Sequence, residues 1–268
     1  MIDRFGRTID YLRVSVTDRC NLRCVYCMPA EGIPPLRRKD ILSFEEIAEV
    51  VAQAASLGVR KVRLTGGEPL LRRGLPKLVA MLARIPGVED LAMTTNGTLL
   101  TARKAAALKA AGLMRVNISL DTSDPAEYAR ITRGGDLTDV VAGITSARMV
   151  GLAPVKLNCV VRSSADEPAA RRVAGLAAAA GLTVRFIRRI DLAGGRFAPV
   201  DGEGSGGDCP SCNRLRLTCD GHVRPCLLSD LSFPVRDLGA REALLAALAA
   251  KPPAGTRCAG VPMPRIGG

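Results

Sequence analysis

Six of the nine cysteines in this 268-residue sequence fall into two triads whose spacing suits metal chemistry. Cys20, Cys24 and Cys27 directly follow an apolar segment, so three thiolates share one short loop. Such a loop can hold three irons of a 4Fe-4S cube and leave the fourth iron open to an exchangeable ligand, which implies a reaction at that corner. A closed zinc site needs four ligands, and this loop offers three with no histidine nearby. Cys209, Cys212 and Cys226 form the second triad, C-x2-C-x13-C. Taken alone it suits either another cube with one free iron or a zinc ribbon closed by Cys219, His222 or Cys258. Arg214 and Arg216 follow that pair and carry planar donors suited to phosphate or a carbonyl-rich base. The other thiols have plainer readings: Cys159 as a small core residue in an apolar strand, and Cys258 as an exposed one.

Loops of this kind need a scaffold. Residues 11–16, 61–64, 90–94, 115–120, 154–161 and 183–187 are rich in β-branched or apolar side chains and predict six strands. Helical patterns lie between them at 43–57, 75–84, 101–111, 136–150 and 167–180. The first is the clearest: Ser43 and Glu46 make a capping box, apolar residues recur at Ile47, Val50, Val51 and Ala54, and Gly58 supplies the stop. Strands alternating with helices predict parallel pairing through right-handed crossovers, hence an α/β chain forming a partial (β/α)6 TIM-type barrel. We expect this barrel over residues 1–190, a Gly-rich connector over 191–208, and a Cys-rich C-terminal extension over 209–268 with a helix near 241–250.

Sites in such folds gather at the C-terminal ends of the strands. The first Cys loop follows strand one, Thr65-Gly66-Gly67-Glu68-Pro69 strand two, Thr94-Thr95-Asn96-Gly97 strand three, and Ser119-Leu120-Asp121 strand four. Lys156 and Asn158 lie within strand five and Arg185 in strand six. Each alone reads as a turn or a solvated charge, but their convergence on one rim favours a site.

The charge balance, 38 Lys and Arg against 26 Asp and Glu, favours anionic partners. Three Tyr, five Phe and no Trp leave few rings for base stacking, which lowers nucleic acid as a partner. A lone histidine excludes a His-rich zinc site and makes a Ser-His-Asp triad implausible. No apolar run approaches membrane-spanning length and residues 1–7 carry no secretory signal, so the expected location is cytoplasmic.

The C-x3-C-x2-C loop with Tyr26 before its last cysteine, together with the Gly-Gly-Glu-Pro loop, resembles the radical S-adenosylmethionine (SAM) superfamily. Within it the sequence closely resembles the GTP 3′,8-cyclase family of molybdenum-cofactor biosynthesis. This match runs through residues 12–19 (LRVSVTDR), 61–69 (KVRLTGGEP), 94–97 (TTNG), 116–121 (VNISLD), 155–158 (VKLN), 185–187 (RFI), the second triad and the terminal Ile266-Gly267-Gly268. The resemblance implies a lyase in which Cys20, Cys24 and Cys27 bind a SAM-binding 4Fe-4S cluster, with Tyr26, Gly67, Ser119 and Ile190 lining SAM. It implies a second 4Fe-4S cluster on Cys209, Cys212 and Cys226, and GTP contacts from Arg13, Arg63, Thr94, Lys156, Arg214, Leu215 and Arg216. A 5′-deoxyadenosyl radical would then take hydrogen from C3′ of GTP, and the carbon radical would attack guanine C8. Implied partners are an electron donor, the enzyme that converts the cyclised product to cyclic pyranopterin monophosphate, and a second copy in a homodimer.

Two features depart from the family. The connector between Ile190 and Cys209 is much shorter, although fully extended it still spans roughly 60 Å. Ile190 stands where the family has a SAM-contacting Met. A radical SAM enzyme acting on a peptide or another small molecule is the second reading, and a zinc-stabilised nucleic-acid-binding module the third.

Overall fold

The computed structural model describes residues 1–192, 194, 195, 197–200 and 207–267. Part of the expected connector, and the terminal Gly268, lie outside these residues. Nine strands form one sheet: β1 (Tyr11–Ser15), β2 (Lys61–Thr65), β3 (Asp90–Thr95), β4 (Arg115–Ser119), β5 (Lys156–Val161), β6 (Thr183–Arg188), β7 (Arg214–Leu217), β8 (His222–Arg224) and β9 (Phe233–Pro234). Their order is β6-β5-β4-β3-β2-β1-β7-β8-β9. The six expected strands are present and pair in parallel. A seventh, β7, also runs parallel to β1, while β8 and β9 add an antiparallel edge. The sheet keeps two edges, so the barrel is partial.

The main helices are α1 (Phe44–Ser56), α2 (Leu75–Ala83), α3 (Ala102–Ala110), α4 (Pro125–Thr132), α5 (Leu137–Met149) and α6 (Pro168–Ala179), followed by α7 (Val235–Leu238), α8 (Ala240–Ala249) and α9 (Met263–Ile266). Both halves of the Ser43/Glu46 capping box are formed. The α4 helix was not anticipated, although Asp124 caps it and Pro125 opens it. No helix among the described residues is long and apolar enough to cross a membrane.

Strand period two sorts the side chains. Leu12, Val14, Val62, Leu64, Val116, Ile118, Leu157, Leu215 and Leu217 are almost wholly buried in the core beneath the helices. Each such burial contributes roughly 2 kcal/mol. The alternate residues, including Arg13, Arg63, Asn117, Lys156, Arg185, Arg214 and Arg216, take the opposite, inner face. Cys159 sits in the core as expected; Cys258, expected to be exposed, is 2% accessible and packs with Leu227 and Ile266.

Candidate active site

The first Cys loop is clamped from two sides. On one, the Gly67 and Glu68 amides donate to the Thr17 and Arg19 carbonyls at 2.8 and 2.7 Å. A Cβ on Gly67 would sit 2.2 Å from the Arg19 carbonyl oxygen, so no side chain fits there. On the other, the Arg23 and Val25 amides donate to Thr132 and Ile131 at the end of α4, at 3.0 and 2.9 Å. Arg133 Nη1 then donates to the Arg23 and Met28 carbonyls at 2.8 and 2.9 Å. The Tyr26 hydroxyl donates to Asp121 Oδ2 at 2.6 Å, and Asp121 Oδ1 accepts from the Val160 amide, so Tyr26 is tied to the end of β4.

Glu68 is wholly buried and accepts from the Leu70 amide (2.9 Å), Thr95 Oγ1 (2.7 Å) and the Asn96 amide (2.7 Å). Burial nevertheless pushes its carboxyl up. Asn96 bonds Asn21 Oδ1 at 3.0 Å and reaches Cys20 Sγ at 3.9 Å. Glu68 therefore joins the ends of β2 and β3 to the thiol loop, a role unread in the sequence.

The three thiols are half-buried. Burial, and then the charge of the neighbouring thiols, pushes Cys24 and Cys27 up to about 12; burial also raises Cys20. Such thiols shed their protons when a metal group supplies the compensating charge, and this donor set fits one. Among the described residues no three Cys, His, Asp or Glu side chains converge on a single-ion site.

On the inner face, Arg13 lies in register with Arg63 on β2 and Arg216 on β7. Burial, followed by repulsion from neighbouring guanidiniums, lowers Arg13 to about 10 and Arg216 to about 9. Arg185, on β6 at one edge of the sheet, is likewise lowered, by burial and then by the charge of Arg214. Against the effect of its own burial, Arg13, Arg63 and Arg214 hold the Tyr11 phenol below its ordinary range. A guanidinium stays charged at neutral pH, so these shifts express first the cost of burying the charges and then their mutual repulsion, and a bound anion would offset both. Arg63 Nε, Thr94 Oγ1 and Asn117 Oδ1 are buried without hydrogen-bond partners. Lys156 is half-buried in register with Asn117, and Ser119 with Asn158.

Two of the expected contact residues pack against apolar neighbours. Leu215 is fully buried among core side chains, on the face away from Arg214 and Arg216, so only its backbone can meet a ligand on the inner face. Ile190 is half-buried against the small cluster of Leu227, Cys258 and Ile266. Gly267 reaches the inner face: its carbonyl accepts from Arg216 Nη1 at 2.5 Å and Arg13 Nε at 3.4 Å. Gly267 has φ +76, and a Cβ there would meet Thr65 Oγ1 at 2.2 Å.

Cys209, Cys212 and Cys226 line one cavity with Arg214, Arg216 and Lys251. Lys251, after α8, is 1% accessible. Its Nζ donates to the Arg214 and Pro225 carbonyls at 2.7 and 2.8 Å and to Cys212 Sγ at 3.5 Å. Burial would raise the Cys212 thiol, but Lys251, the Arg214 amide and the Arg214 guanidinium outweigh it and hold the thiol below its ordinary value. Arg7, ion-paired with Asp3 at 2.6 Å, donates to the Cys209 carbonyl at 3.0 Å. Neither Arg7 nor Lys251 was picked out in the sequence.

A partial parallel barrel with a three-thiol loop after its first strand and a second thiol triad beside its seventh defines the class of enzyme. The pattern of the radical SAM superfamily matches residues 14–163. Two GTP 3′,8-cyclases are similar along both chains: that of Petrotoga mobilis is 41% identical over 303 aligned positions, and that of Pelotomaculum thermopropionicum 44% over 306, each covering 94% of either chain. The chain belongs to the GTP 3′,8-cyclase family of the radical SAM superfamily. Since 94% of 268 residues is about 250, about 50 of the 303 aligned positions have no counterpart in this chain. Among solved structures, Streptococcus suis SuiB bound to S-adenosylmethionine matches with TM-score 0.68 at 13% identity, covering 91% of this chain and 64% of that one. Native anSMEcpe with bound AdoMet matches at 0.63 and 16%, covering 91% and 81%. These last two show the shared fold.

Proposed function

We propose that this chain converts GTP to its 3′,8-cyclised form in molybdenum-cofactor biosynthesis. Cys20, Cys24 and Cys27 would hold the SAM-binding 4Fe-4S cluster, and Cys209, Cys212 and Cys226 the second. The observation that carries this reading is the run of guanidiniums on the inner face, Arg13 flanked in register by Arg63 and Arg216.

When bound, the SAM-loaded cluster supplies the one-electron chemistry that opens the ribose C3′–H bond; the protein's part is to bind, orient and exclude water. Arg13, Arg63, Arg214 and Arg216 are suited to a triphosphate, which would relieve their repulsion and gain charge-assisted hydrogen bonds. The Thr94 hydroxyl and Lys156 flank that position and can orient the ribose. Tyr26, held by Asp121, Gly67 and Ser119 border the space for SAM next to the Cys loop, and Ile190 would add an apolar contact. Gly267 at the mouth would limit water access. No side chain here is assigned a general acid or base. In this reading residues 209–268 complete the site through β7, and the product passes to the enzyme forming cyclic pyranopterin monophosphate.

Anaerobic reconstitution with iron and sulfide, followed by SAM, dithionite and GTP, tests it. The expected products are 5′-deoxyadenosine and a GTP-derived cyclic nucleotide; 5′-deoxyadenosine without the nucleotide would remove GTP as substrate. Arg216→Lys should lower kcat/KM for GTP about tenfold or more, because an ammonium cannot reproduce the two-donor fork.

A further inference from the structure

An open groove of about 940 Å³ lies outside the barrel, where the lead-in to the first Cys loop meets the starts of α1 and α2. It shares no lining residue with the inner face. Arg19, Arg38, Lys39 and Arg73 line it, are exposed, and make no side-chain hydrogen bond or ion pair with a carboxylate among the described residues. Arg72 lines it too, stacked on Phe44 at 5.1 Å and donating to the Leu42 carbonyl. The one lining carboxylate, Glu46, is held by Arg236 at 2.7 Å. Leu71, 41% exposed, stands among these cations. A smaller cavity of about 410 Å³ shares Arg19 and Leu71 with the groove and is also lined by Cys20 and Met28. The groove thus adjoins, at Arg19 and Leu71, the cavity that borders the first thiol of the loop.

We propose that this groove docks an acidic one-electron carrier protein that reduces the cluster held by Cys20, Cys24 and Cys27; the inference rests on the reading of those cysteines as ligands of a reducible cluster. Spread, exposed cations around an apolar residue suit a protein surface, whereas a small anion is gripped by converging buried donors such as those of the inner face. Charge of this kind raises association rates steeply at low ionic strength, which a short-lived electron-transfer encounter needs. The carrier loses one electron, the cluster gains one, and no proton or bond changes hands.

The test uses the reconstituted holoenzyme and a small acidic flavin-mononucleotide carrier protein, added fully reduced, with dithionite as the control reductant. Arg38→Glu/Lys39→Glu should leave SAM cleavage under dithionite within about twofold. The same variant should cut the carrier-driven kcat/KM by about 100-fold and flatten its salt dependence. Arg73→Gln should move the same quantities in the same direction by less. Isothermal titration of oxidised carrier into each holoenzyme, a readout free of turnover, should show binding weakened in parallel. Carrier-driven rates and binding unchanged in both variants would overturn the proposal. So would a rise in KM for GTP under dithionite matching the loss with carrier, which would make the groove a nucleotide route, or groove-dependent RNA retention without carrier dependence. A wild-type holoenzyme that cleaves no SAM under dithionite would sink the cluster reading instead, and the titration still reports on the groove.

Discussion

The two thiol triads solve one problem with opposite electrostatics. The first sits in a loop pinned by backbone: Gly67 and Glu68 on one side, the end of α4 and Arg133 on the other. Burial pushes its Cys24 and Cys27 thiols up to about 12, so their charge must be balanced by what they bind. The second is built around a buried cation, Lys251, which donates to Cys212 and to the carbonyls of Arg214 and Pro225. One region is shaped by tight loop geometry, the other stabilised by charge supplied from a residue far along the chain. The difference suits the proposed roles: an open, reactive corner at the first site and a substrate-facing one among guanidiniums at the second.

Ligand removal separates the two most sharply. Cys24→Ser should halve the bound iron, to about four per chain, and abolish SAM cleavage. Cys226→Ser should also halve the iron but preserve 5′-deoxyadenosine formation while eliminating the cyclised nucleotide. Iron assays with chromatography of both products check this; loss of SAM cleavage in Cys226→Ser would break the division of labour.

Glu68→Ala leaves three buried donors unsatisfied and should cost about 3 kcal/mol or more, read as a drop of about 6 to 10 °C in Tm. Lys251→Met should cost about 2 kcal/mol through the stranded Arg214 and Pro225 carbonyls. Its diagnostic effect is selective loss of the second site's iron on chelator challenge, with the first site's SAM cleavage retained. Equal loss of iron from both sites would erase the contrast. Tyr26→Phe removes one hydrogen bond to a carboxylate and should cost about 1.5 kcal/mol, with iron content unchanged. Differential scanning calorimetry of the apoprotein measures all three stabilities on one scale.

The six strands were legible because each is a run of β-branched or apolar residues beside a helix with period 3.6. The β7 strand was not. Its four residues, Arg-Leu-Arg-Leu, are too short for a periodic signal, and its arginines already had a reading as ligands. That omission explains Leu215: once the segment is a strand, period two sends Leu215 to the core while Arg214 and Arg216 face inward. The α4 helix did carry a signal, Asp124 then Pro125, with Glu127 at the third position. Lys251 carried none, since a lysine after an Ala-rich helix is ordinarily solvated, and only carbonyls distant in sequence make its burial tolerable. The terminal Ile-Gly-Gly was legible only as part of the resemblance; the close fit of Gly267 against Thr65 required coordinates.

By itself the chain's order of residues determined the spacing of each thiol triad, the side to which every recognised strand turns its charges, and the caps and stops of most helices. These are short-range consequences of covalent geometry and of periods two and 3.6. Tertiary structure decided which charges meet. Arg13 finds Arg216 because β7 returns to pair with β1. Lys251 reaches Cys212 because α8 packs against α1 and leaves its end beside the second triad. Contacts between residues so far apart in sequence depend on how distant strands and helices pair in the folded chain, which no local pattern encodes.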